Sequence, residues 1–230
     1  MKLTLCDGTD YELPMFDPVV ATHVQASHSL VGTLIDQINK EKIYAPFFEG
    51  KKNLTFLDIG ANIGLVSVYA SPACNRIVVV EPAPDTFKVL EAMALNFPVV
   101  GTVDLVPAAL APSDGTIEFH INDINSTASS TVNTYGTLTK VNGLTLSSIL
   151  RIYQLEHVDV CKVDAEGGEG DSLTLRELAT AASVIDSYYI ETHNCPKSSW
   201  NDKQDRLITN LVKCGYKNVT IQGMAVIASK

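Results

Sequence analysis

The chain has 230 residues, 46% of them hydrophobic and 19% charged, proportions that fit a soluble globular protein of one domain, or one domain with an added cap. Its 17 Lys and Arg against 26 Asp and Glu leave a net charge of -9, which speaks against a nucleic-acid partner because phosphate binding needs a positive field. No segment reaches the roughly 18 apolar residues of a membrane span, MKLTLCDGTD lacks a signal-peptide core, and five cysteines (Cys6, Cys74, Cys161, Cys195 and Cys214) without C-x-x-C spacing read as reduced thiols in the cytoplasm.

Residues 1–52 read as an N-terminal hairpin and cap helix, and residues 53–230 as one α/β domain. Apolar alternation around Asp7-Gly8 predicts a short hairpin over 3–13. Leu30, Leu34 and Ile38 recur at helical spacing and predict an amphipathic cap helix over 29–44 that covers one edge of a sheet. From Leu54 onward, strands are predicted at 55–59, 76–80, 103–106, 116–121, 158–163 and 184–191. Helical patterns fall at 63–70, 84–96, 141–154, 171–182 and 200–214, and residues 219–228 close the chain as a hairpin around Gly223. The segment 125–139, NSTASSTVNTYGTLT, reads as a polar loop. Strand and helix alternation of this kind specifies an α/β fold, a doubly wound and mostly parallel sheet with helices on both faces.

Ligands of open α/β sheets bind beyond the carboxyl ends of the strands. Four strand ends here deliver polar residues to that edge: Asp58, Gly60, Asn62 and Gly64; Glu81; Lys162, Asp164 and Glu166; Glu191 and His193. In D-x-G-x-N-x-G, Gly60 turns the chain with no Cβ in the way, Gly64 lets the next helix approach, and Asn62 enters the left-handed region more cheaply than most residues. The turn sets a helix N-terminus beside a ligand carboxylate. Glu81, ending the next strand, can accept both ribose hydroxyls of a nucleoside. A dinucleotide turn would read G-x-G-x-x-G, but Leu65 stands at the third glycine position. The turn therefore favours S-adenosylmethionine over NAD.

Four segments, FLDIGANIG at 56–64, VVVEPAPDTF at 78–87, LVPAALAPSDGTIEF at 105–119 and VDVCKVDAEGGE at 158–169, together resemble the FkbM family of S-adenosylmethionine-dependent methyltransferases. The K-x-D-x-E-G stretch is the most family-specific of them. The resemblance implies the seven-stranded, Rossmann-like fold of class I methyltransferases. It implies that Asp58, Gly60, Asn62 and Gly64 hold the methionine end of the cofactor, that Glu81 binds the ribose, and that the turn near Ala108 borders the adenine. It also implies methyl transfer to a hydroxyl, often of a sugar or of a sugar-decorated or polyketide product. Ala128-Ser129-Ser130-Thr131 is similar to a Ser-rich stretch of the family. Gly168 and Gly170 depart from the pattern where a helix would begin, each costing about 1 kcal/mol if helical, so the helix is expected to start later, capped by Asp171.

Methyl transfer to an alcohol needs the acceptor oxygen held in line with the sulfonium carbon, and its proton removed. Asp164, Glu166 and His193 are the candidate bases, with Lys162 either an orienting, charge-balancing partner or a snorkelling structural lysine. Asp164, Glu166, Glu191 and His193 could instead hold a divalent cation. His23, His28, His120 and His157 show neither pairing nor ligand spacing. The rival readings are an NAD-dependent oxidoreductase, a methyltransferase of protein or nucleic-acid nitrogen, and a non-catalytic cofactor-binding module. Nitrogen methyltransferases often carry Pro-Pro-aromatic where this chain has Asp164, Glu166 and Gly167. The expected partner is a small-molecule or glycan acceptor.

Overall fold

A computed structural model describes residues 1–121, 136–194 and 199–230. The N-terminal hairpin pairs β1 (Lys2–Thr4) with β2 (Asp10–Glu12), Leu3 opposite Tyr11. Next comes α1 (Pro18–Ala26), which the sequence reading missed. Asp17 caps it through the N–H groups of Val19 and Val20, and proline opens its first turn, both favourable starts. Only Val20 and Val24 are buried along it, too few apolar repeats to mark a period. α2 (His28–Asp36) runs into a π-helical turn, Gln37–Glu41, and left-handed Lys42 (φ 52°) ends it. The helix expected to reach residue 44 thus stops earlier. α3 (Ala45–Phe48) then leads to the sheet.

The remaining elements are β3 (Leu54–Ile59), α4 (Leu65–Ala70), β4 (Cys74–Val80), α5 (Pro84–Ala94), β5 (Thr102–Val106), β6 (Ala109–Leu110), β7 (Gly115–Ile121), β8 (Thr137–Leu144), α6 (Leu146–Ile152), β9 (Val158–Val163), α7 (Glu169–Ser172), α8 (Leu175–Ala181), β10 (Ile185–Glu191), α9 (Trp200–Lys213), β11 (Asn218–Gln222) and β12 (Ala225–Ser229). Seven strands form one sheet in the order β11-β12-β10-β9-β3-β4-β5. β12 is antiparallel to both its neighbours, and the other pairs are parallel. Strands β6, β8 and β7 make a separate small sheet.

The central strands read as apolar runs because both sheet faces are covered. On one face Phe56, Ile77, Val79, Val160 and Tyr189 share a cluster with Val20, Val31 and Ile35 of the N-terminal helices. On the other, Leu57, Val78, Cys161 and Ile190 pack with Ile149, Leu178 and Leu207 of α6, α8 and α9. Each fully buried aliphatic side chain contributes about 1.5–3 kcal/mol, so the N-terminal helices belong to the same core as the sheet. They lie against its face and not, as expected, along its edge.

Three local expectations are corrected. Residues 141–144, predicted as helix, end β8, with Val141 opposite Ile117 of β7. Thr145 then caps α6 by accepting the Ser148 N–H; the apolar period of the helix continues backwards into the strand, and the cap alone marks the boundary. Asp171 is not a cap: α7 begins at Glu169 and includes Gly170, and Thr174 caps α8 through the Glu177 N–H. Of the polar segment 125–139, residues 137–139 are strand. Residues 125–135 of it, with Ala128, Ser129, Ser130 and Thr131, lie outside the described residues, as does Cys195. Among the described residues, no helix is long and apolar enough to cross a membrane.

Candidate active site

The sheet order reverses between β3 and β9, and a cleft of about 220 Å³ opens there beyond their carboxyl ends, the usual ligand position in such a sheet. Parallel register sets Asp58 beside Lys162 on these two strands. The Lys162 side chain is only 4% exposed, and its Nζ donates to the Gly60 carbonyl at 2.9 Å and lies 3.4 Å from Asp58 Oδ1 and from Asp164 Oδ2. Burial opposes its charge, but Asp58, Asp164 and Glu191 outweigh that penalty and hold its pKa above the usual lysine value. Ser67 Oγ donates to the other oxygen of Asp58 at 2.7 Å.

Gly60 has φ 71°, and a Cβ built on it would fall 1.7 Å from the Asp164 carbonyl oxygen. Only glycine lets the loops after β3 and β9 interlock this closely. At Gly64 (φ 85°) a Cβ would lie 2.7 Å from Leu90 Cδ1 and 2.9 Å from Phe97 Cζ, so this glycine accommodates α5 as well as the start of α4. Asn62 is left-handed (φ 54°) and its N–H donates to Glu81 Oε2 at 2.9 Å, while Ala83 N–H donates to Oε1 at 2.9 Å. Burial pushes the Glu81 carboxyl up to about 7, against the pull of those two N–H groups. Pro82, Ala108, Leu110 and Phe119 form an apolar wall beside it, and Leu30, Leu34, Ile38 and Tyr44 close the cleft from the N-terminal side. Tyr44 stacks at a tilt on Tyr189, with ring centroids 4.9 Å apart, and burial keeps its hydroxyl protonated.

A second group gathers at the ends of β9 and β10. His193 Nδ1 lies 3.0 Å from Glu169 Oε1, and its Nε2 faces Asp164 Oδ1 at 3.7 Å, Glu166 Oε2 at 3.7 Å and Glu191 Oε1 at 3.8 Å. Burial disfavours the imidazolium, but the hydrogen bond to Glu169 and the surrounding carboxylates raise the His193 pKa to about 9. Burial, reinforced by Asp164, pushes Glu166 up to about 8 against the opposing charge of His193, and the same two causes raise Glu191. Glu166 also has a left-handed backbone (φ 48°), a strain of the kind that collects at functional sites. One ligand atom each from Asp164, Glu191 and His193 lies within 4.8 Å of the others, close enough for a metal ion. The three carboxylates that face Nε2, those of Asp164, Glu166 and Glu191, also favour the charged form of the ring.

Of the residues expected at the site, Gly60, Asn62, Glu81, Ala108, Lys162, Asp164 and Glu166 line the cleft. Asp58 is fully buried beneath it, Gly64 faces α5, and His193 stands behind the acids. His157 pairs with Asp186 at 2.8 Å at the amino ends of β9 and β10, away from the cleft. The sequence reading missed Tyr44, Glu169 and Lys203. Lys203 carried a usable signal: with Leu207 and Leu211 it falls on one stripe of α9 at four-residue spacing, the stripe that the core buries.

The methyltransferase FkbM domain family matches residues 58–217. No curated protein matches the sequence. Among solved structures, the chain is similar to a precorrin-6y C5,15-methyltransferase from Geobacter metallireducens, at 17% identity and a TM-score of 0.49 over 84% of this chain and 91% of that one. It is also similar to precorrin 8w decarboxylase from Methanobacterium thermoautotrophicum, at 13% identity and a TM-score of 0.49 over 82% and 88%. A third similarity is to M. capricolum TrmK in complex with S-adenosyl-homocysteine, at 8% identity and a TM-score of 0.41 over 78% and 62%. With the family match spanning more than half of its length, the chain belongs to the methyltransferase FkbM domain family and is an S-adenosylmethionine-dependent methyltransferase.

Proposed function

We propose that the protein is an O-methyltransferase that moves a methyl group to a hydroxyl, that of a sugar in a glycan or glycosylated metabolite. The observation that carries this reading is Glu166, a carboxyl raised to about 8 at the cleft wall, where a general base for an alcohol is most effective near neutral pH. The bound cofactor supplies an electrophilic methyl group. The glycine turn leaves it room, and Glu81 offers a buried acceptor carboxylate for a ribose diol. Asp58, Gly60, Asn62 and Gly64 form the methionine end, and Ala108 borders the adenine. The doubly wound arrangement is part of the same reading, with the cleft at the point where the strand order turns. Residues 1–52 act as a cap and 53–230 as the catalytic unit.

In this mechanism Asp164 and Glu166 face the acceptor. With the cofactor bound, this wall of the cleft would hold the acceptor oxygen in line with the methyl group that the cofactor would supply, leaving its sulfide as the product. Glu166 takes the hydroxyl proton, and the His193 imidazolium balances Asp164 and Glu191. Lys162 holds Asp58 and the Gly60 carbonyl in place. The excess of carboxylates over cations at the cleft disfavours a phosphate-bearing acceptor and so weighs against nucleic acid. Sugar is the acceptor that the family resemblance suggests.

The test is thermal unfolding with S-adenosylmethionine, S-adenosylhomocysteine and NAD in parallel, followed by labelled methyl transfer to a panel of glycosides and amines. A ligand at a hundred times its Kd stabilises by about 2.7 kcal/mol, roughly 5–11 °C here. A shift with the adenosyl ligands and label on glycosides is expected. A shift with NAD alone removes the cofactor reading, and label on amines alone removes the hydroxyl.

A further inference from the structure

Two buried charged side chains that do not themselves line the cleft sit under the His193 group. Glu169, on α7, is fully buried, and its Oε1 accepts the N–H groups of Ala165 (3.1 Å) and Gly167 (3.0 Å) as well as His193 Nδ1 (3.0 Å). Lys203, on α9, is 1% exposed, and its Nζ donates to the carbonyls of Gly167 (2.8 Å) and His193 (2.6 Å) and lies 3.7 Å from Glu169 Oε2. The pair therefore grips the loop after β9, which bears Asp164 and Glu166, and the loop after β10, which bears His193. A buried ion pair is costly unless its remaining donors and acceptors are satisfied; here backbone groups of these two loops satisfy Glu169 Oε1 and two of the Lys203 donors, while Glu169 Oε2 is faced by the Lys203 charge at 3.7 Å.

We infer that Glu169 and Lys203 are positioning residues of the methyl-transfer site: a buried ion pair that locks the two loops together and fixes the His193 ring with Nδ1 bound and Nε2 turned to the acids. This rests on the reading that Asp164 and Glu166 face the acceptor. The ring is faced by Asp164 and Glu166 from the loop after β9, Glu169 from α7, and Glu191 from β10, while Lys203 of α9 holds its backbone. Among the described residues, Glu169 is the carboxylate bonded to Nδ1, so it sets the orientation of the ring. Burial opposes ionisation of Glu169 itself, but His193 and the backbone N–H groups hold its pKa below the ordinary value.

The experiment is a side-chain NMR titration of the full chain, with the His193 signals assigned by their loss in H193Q. In the unaltered protein both ring nitrogens stay protonated through neutrality, with a midpoint near 9. E169Q, nearly isosteric, is expected to lower that midpoint by at least one unit, a tenfold change in the equilibrium, while S-adenosylhomocysteine affinity by calorimetry changes less than threefold. K203M is expected to broaden the His193 signals, and K203R to restore one sharp set. An unaltered-protein midpoint at or below 6.5, or an unchanged midpoint in folded E169Q, overturns the inference. If E169Q does not fold, K203M and K203R decide: sharp, unshifted signals in K203M overturn it. Failure of S-adenosylhomocysteine to bind the unaltered protein would strike the cofactor assignment instead and leave the titration still decisive.

Discussion

At the scale of single residues, most of the cleft was legible because its chemistry lies in short motifs at strand ends. Glu81 is the clearest case, an acid directly after Val78, Val79 and Val80, all buried strand residues. Glu81→Ala is expected to weaken S-adenosylhomocysteine binding at least tenfold by calorimetry, since a hydrogen bond to a charged group is worth about 1.5–3 kcal/mol. Gly60→Ala meets both a clash with the Asp164 carbonyl and a left-handed backbone. Its folding free energy should fall by about 1–3 kcal/mol from the backbone strain alone, more with the clash, as urea titration would show. Glu169 was not legible, although it closes the quoted segment VDVCKVDAEGGE at 158–169. An acid between two glycines looks solvated, and only the fold shows that His193, 24 residues on, returns to it.

At the scale of elements, the periodic central strands and the long α9 were read correctly, while short capped pieces were not. The end of α7 merged with α8 into the one helix expected over 171–182 because Leu175, Leu178 and Ala181 repeat at helical spacing, and the Thr174 cap that separates the two is a single hydroxyl. Thr174→Ala should cost about 1 kcal/mol, seen as a lower urea midpoint with an unchanged slope. The N-terminal segment contributes more than a cover. Phe48 is 1% exposed and packs its ring on Phe56 of β3 and on Tyr69, with centroids 4.9 and 6.2 Å away. Phe48→Ala is expected to destabilise the whole domain by about 3–5 kcal/mol, and a chain beginning at residue 53 to precipitate on expression. A soluble, cooperatively melting 53–230 fragment would make residues 1–52 a dispensable cap.

At the scale of the molecule, the raised groups at the cleft couple stability to pH. Glu81, Glu166 and His193 all have folded pKa values above their unfolded ones, about 7, 8 and 9. Each therefore binds its proton more tightly in the fold, and its contribution is complete below the unfolded pKa and lost as pH rises through the folded value. The melting temperature of the cofactor-free protein should accordingly fall between pH 6.5 and 9.5. A melt that stays flat or rises over that window would mean that these groups do not hold their protons more tightly in the fold. The overall architecture was legible from strand and helix alternation, but the pairing of β3 with β9 was not, because nothing local announces which distant strands become neighbours. That pairing joins Thr55 to Asp159, 104 residues apart. During synthesis at about 5–20 residues per second, β3 must wait on the order of 10 s for its partner. For that interval a strand buried at the centre of the finished sheet presents an unpaired flank, the kind of edge that recruits other chains. Yield of folded protein should thus depend on translation speed and chaperone supply far more than its native surface would suggest.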